Sequence, residues 1–117
     1  MTKLLTVLAI LACAGTAWGQ AEAEPPDNLQ QFLADGITVI PEGGSATSTT
    51  IVLSGTVHGS GATQVRIEVE IRPVADPFLQ VSTHQGPWVN INTTTSVTVS
   101  GLIPGAAYHW QATTVPT

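Results

Sequence analysis

The stretch "QVRIEVEIRP", residues 64–73, decides the fold. Its apolar residues Val65, Ile67, Val69 and Ile71 alternate without a break with Arg66, Glu68, Glu70 and Arg72. A period of two is the signature of a β-strand with one face buried and the other in water. The wet face carries two carboxylates and two guanidiniums in alternation. Glu68 and Glu70, two residues apart, place their Cα atoms ~7 Å apart, a separation compatible with an acid/base pair of the inverting glycosidase kind. An open strand face provides no pocket to raise one pKa, however, and both arginines favour the charged carboxylates. The expectation is therefore a solvated, charge-paired face without catalysis.

Working outward, the same period recurs in short pieces. Upstream lie "ITVI" (37–40), the turn-rich "PEGGSATS" (41–48) and "TTIVLSGTVH" (49–58), where Ile51, Leu53 and Val57 share one parity. Gly55 interrupts that run and signals a bulge or a close backbone approach. Downstream, Pro73 and Pro77 bracket a turn, "FLQVS" (78–82) reads as a short strand, and "HQGPW" (84–88) as another turn. "WVNIN", "SVTVSGL" and "AAYHWQATTV" complete the set. Short strands separated by glycine and proline turns, with no convincing interior helix, predict an all-β antiparallel sandwich. The threonine-rich "NINTTTSVTVS" suits an exposed strand face.

"GLIPGAAYHWQA" (101–112) contains a leucine, a Pro-Gly turn and a tyrosine: Leu102, Pro104, Gly105 and Tyr108. Pro104-Gly105 can turn the chain between sheets while the Tyr108 ring packs inward and its hydroxyl bonds nearby backbone. Trp110 and Ala112 share the parity of Tyr108 and are expected in the core, with His109 and Gln111 facing out. This segment resembles the corner between the fifth and sixth strands of a fibronectin type III domain, and the resemblance extends over residues 36–117. It implies an immunoglobulin-like sandwich. Two departures stand out: "TTIVLSGTVH" has no tryptophan, and no residues follow for a seventh strand beside "YHWQATTV". The last strand is thus expected to be missing. That edge would be filled by a continuation of the chain, by a partner, or by the segment around "DNLQQFLADG" folding back.

The N-terminus reads as an address. Lys3, an apolar run from Leu4 to about Ala14, and Ala17-x-Gly19 ahead of Gln20 form the layout of a cleaved signal, residues 1–19. A membrane span would require ~20 apolar residues. "ILAC" ahead of Cys13 also admits a lipoprotein reading. Cleavage after Gly19 removes the only cysteine, and with it disulfides and cysteine catalysis. It leaves Arg66 and Arg72 against eight acidic residues, a net charge of −6, which makes nucleic acid and anionic lipid poor partners. The remaining ~98 residues suffice for one domain. Residues 20–35, with "QAEAEPPDNLQQ", read either as an acidic, proline-containing tether or as a short helix capped by Asp27 with Leu29, Phe32 and Leu33 along one side.

Few residues invite chemistry. His58, His84 and His109 fit no metal-ligand spacing, and no cofactor is implied. Ser60 in "HGSGA" lacks the strand-turn-helix context of a reactive serine. Trp88 either caps the core, the favoured reading, or is exposed beside Gln85 and Asn90 as an aromatic contact for a sugar or a protein. Asn92-Thr93-Thr94 matches a glycosylation sequon. The sequence therefore predicts a non-enzymatic, secreted or cell-surface module: a spacer, scaffold or adhesion unit with protein or carbohydrate as partner. A carbohydrate- or strand-binding module and an accessory domain of a longer exported hydrolase are the alternatives.

Overall fold

The computed structural model describes residues 5–9, 25–59 and 64–117. Cys13, Ser60 and most of the segment read as a signal and tether lie outside them. Ten strands follow one another: β1 Leu5–Ala9, β2 Asp27–Leu33, β3 Val39–Ile40, β4 Ser45–Ala46, β5 Ile51–Val57, β6 Gln64–Pro73, β7 His84–Gln85, β8 Val89–Asn90, β9 Thr93–Val99 and β10 Ala107–Pro116. No helix occurs among the described residues. One sheet runs β4-β1-β10-β6, with β7 and β8 both pairing with β6; the other runs β3-β2-β5-β9. Every pairing is antiparallel except β1 with β10. The protein is an antiparallel β-sandwich.

The core is what the alternation demands. Val65, Ile67 and Val69 of β6 are fully buried, as are Ile51, Leu53 and Val57 of β5 and Trp110 of β10. The Trp110 indole N–H donates to Gln31 Oε1 at 2.9 Å, and Gln31 Nε2 donates to the Pro41 carbonyl at 2.9 Å. The two sheets are thereby joined by a polar contact inside an apolar layer. Gly55 marks a close approach: a Cβ there would meet Leu29 Cδ2 at 2.7 Å and Ile67 Cδ1 at 3.2 Å. The bulge lies on the opposing strand, where the β2 register shifts between Asp27 and Gln30 and Asn28 has φ 51°.

At the 101–108 corner Gly105 adopts φ 83°, Leu102 is buried, and the Tyr108 hydroxyl accepts a hydrogen bond from the Ile103 N–H at 2.9 Å. Tyr108→Phe keeps the ring and removes the acceptor. We expect a loss of about 1 kcal/mol, visible as a lower urea midpoint at unchanged slope.

Three expectations about the strands change. Residues 27–33 are neither tether nor helix but strand β2, so the sandwich begins before residue 36. Seven residues are too few for a helix to persist unaided, whereas β5 offers a full hydrogen-bonding edge. "FLQVS" is not a strand; it belongs to the irregular connection between β6 and β7. The edge of β10 is not bare: β1 lies beside it in parallel, Thr6 opposite Ala107 through Ala9 opposite Trp110. Unpaired edge N–H and C=O groups favour any segment able to run alongside. A short apolar run is ambiguous between a signal core and a strand.

Candidate functional site

The outer face of β6 carries Arg66, Glu68, Glu70 and Arg72, and it is largely covered rather than open to water. Glu70 is fully buried and Glu68 nearly so. Over Glu70 the cause is the β6–β7 connection, whose Leu79 and Gln80 lie against its carboxylate. Glu70 Oε2 accepts from the Arg72 Nε–H and, at 2.7 Å, from the Leu79 N–H; Oε1 accepts from the Gln80 N–H at 3.1 Å and from Gln111 Nε2 at 3.0 Å. Gln80 holds φ 62°, the left-handed conformation that directs its N–H at the carboxylate. Burial alone would raise the Glu70 pKa. Arg72, the Leu79 N–H and Gln111 outweigh it and hold the carboxyl below its ordinary value.

His109 and Gln111, expected to face out, are nevertheless buried, His109 beneath Asp76 and Phe78 of the same connection and Gln111 against Glu70. Phe78 stacks on the His109 ring, centroids 4.0 Å apart and planes 17° from parallel. His109 Nε2 lies 2.8 Å from the Asp76 carbonyl, and since a carbonyl only accepts, that nitrogen bears a proton.

Further along β6, Arg66 donates to Glu68 through Nε at 2.9 Å, with Nη2 2.7 Å from the same oxygen. Its guanidinium carbon sits 4.6 Å from the centroid of Trp88. Trp88 is 42% exposed and does not cap the core. The turn before β8 directs the indole outward, where Arg66 covers one ring face, an arrangement worth about 0.5–1 kcal/mol at exposed sites.

No protein-family model, curated protein or solved structure matches the chain. Glu70 is charged and has donors on both oxygens, the opposite of the raised proton affinity that an acid catalyst requires. His58 lies 2.8 Å from Asn92 Oδ1 and 3.0 Å from Asp27 Oδ1, tying the β5 end to β2 and to the β8–β9 turn. His84 bonds Thr83 Oγ1, and burial lowers its pKa. Among the described residues no three His, Cys, Asp or Glu side chains gather as a metal site. The structure thus separates the residues singled out in the sequence. Leu102, Pro104, Gly105 and Tyr108 form one corner, the exposed Trp88 sits against the partly buried Arg66–Glu68 pair, and Asn92 of the sequon is exposed at a turn with φ 63°. The Glu70-centred layer was missed. Its only signal in the sequence is the polar parity shared by Glu70, Arg72, His109 and Gln111.

Proposed function

We propose that the chain is an exported, non-enzymatic module resembling fibronectin type III, serving as a spacer or adhesion unit at a cell surface and making contact through the Trp88 cluster. The observation that carries this reading is the Tyr108–Ile103 corner within two sheets ordered β2-β5-β9 and β6-β10. That order supports the resemblance beyond the corner motif. A half-exposed indole with an arginine held against it by Glu68 is the kind of anchor that binding surfaces use. Trp88→Ala is expected to leave the fold intact and to abolish retention of the purified protein on the surface or polysaccharide of the producing cells. Undiminished retention removes Trp88 from the reading.

A second reading is favoured by one observation, the seat of β1 between β4 and β10. If residues 1–19 leave as a signal, that slot becomes a strand acceptor for a partner. Material lacking these residues would then be less stable alone and would gain stability on adding the partner's strand.

A further inference from the structure

The opposite sheet presents a different surface. Alternation along β9 turns Thr94, Ser96 and Thr98 outward, all exposed, next to Ser54 of β5. On β2, Gln31 points into the core to meet Trp110, so Gln30 and Phe32 point out onto the same face. These side chains line a shallow hollow of about 430 Å³.

The lining dictates the ligand. Thr94 shares its hydroxyl with Thr56 at 2.9 Å, whereas among the described residues no hydrogen bond engages the side chains of Gln30, Ser54, Ser96 or Thr98. Hydroxyls and a primary amide both donate and accept, and here they stand in rows about 4.8 Å apart across the strands and ~7 Å apart along them. Phe32, half-buried, adds an apolar ring face. Among the described residues the only charged one at the hollow is Asp35, and both of its oxygens are committed to the turn, accepting from the Ile37 and Thr38 N–H groups and from the Thr38 hydroxyl. Arg66 and Arg72 lie on the other sheet. The site therefore suits a ligand rich in hydroxyls, with a C–H face to lie on a ring, and without negative charge.

We propose that this hollow is a binding site for a neutral oligosaccharide, separate from the Trp88 cluster. The test uses the full chain, isotope-labelled, titrated to millimolar concentration with cellohexaose, mannohexaose and chitohexaose, with oligogalacturonate as the anionic control. At least one neutral probe is expected to move the amide signals of Gln30, Thr94, Ser96 and Thr98, with oligogalacturonate weaker. Thr98→Val keeps the strand propensity, and Phe32→Leu keeps an apolar side chain. Each is expected to weaken binding roughly 3- to 10-fold, the effect of one lost hydrogen bond or ring contact. No shift with any neutral probe overturns the proposal. So do shifts centred on the Trp88 indole, equal binding of oligogalacturonate, or self-association of the chain through this face.

Discussion

Replacing Glu70 by Gln is expected to destabilise the protein by about 3 kcal/mol, the scale on which a buried ion pair responds to loss of one partner. Domains of this size are stable by only about 5–15 kcal/mol, so the effect is large. The amide is the right shape, but its NH2 group must face one of the two pairs of donors now directed at the carboxylate, either Arg72 with the Leu79 N–H or the Gln80 N–H with Gln111. Two donors without an acceptor between them lose the full value of desolvated hydrogen bonds. Amide exchange at Leu79 and Gln80 should accelerate along with the drop in denaturant midpoint. A loss below about 1 kcal/mol with those amides still protected would show that the connection holds itself in place. The same carboxyl carries a pH signature. Its folded pKa lies below the ordinary value, so its contribution is complete above the unfolded carboxylate pKa and is lost as pH falls toward the folded one. Wild type should therefore destabilise on acidification more steeply than Glu70→Gln.

Trp110→Ala should be at least as damaging. The indole is fully buried between the sheets, and truncating such a ring costs about 3–5 kcal/mol through lost burial and the cavity left behind. Trp110→Phe is the milder change: a smaller aromatic ring remains, and the indole donor to Gln31 Oε1 is removed along with part of the ring volume. The lost hydrogen bond accounts for about 1–2 kcal/mol of its effect, and the remaining cavity adds to it. A thermodynamic cycle with Gln31→Leu should recover a coupling of the same sign. Additive single and double variants would mean that the contact contributes nothing to joining the sheets.

These two residues also show what could be read without a structure. Trp110 was legible, because Tyr108, Trp110 and Ala112 share a parity and one face of a strand must be buried. Its partner was not. Gln31 places a polar side chain at a core-facing position, so β2 shows no apolar alternation and imitates a tether or a helix turn. Glu70 was legible as outward-facing yet not as buried. Periodicity assigns a residue to a face, and only the path of the residue 74–83 connection decides whether that face meets water. The same limit applies to His109 and Gln111. Trp88 failed for a related reason: a tryptophan in a turn between strands has no parity to fix its direction, and Arg66 opposite it decides the matter. At the N-terminus, Leu5–Ala9 satisfies both a signal core and a strand pattern, and sequence alone does not separate them.

That last ambiguity bears on the central claim, an exported module that leaves its first nineteen residues behind. The direct measurement is the mass and N-terminal sequence of the folded protein when the gene is expressed with its own start. The account predicts a product outside the cytoplasm beginning at Gln20. A folded product retained inside the cell with Leu5–Ala9 still present and protected beside β10 would contradict it.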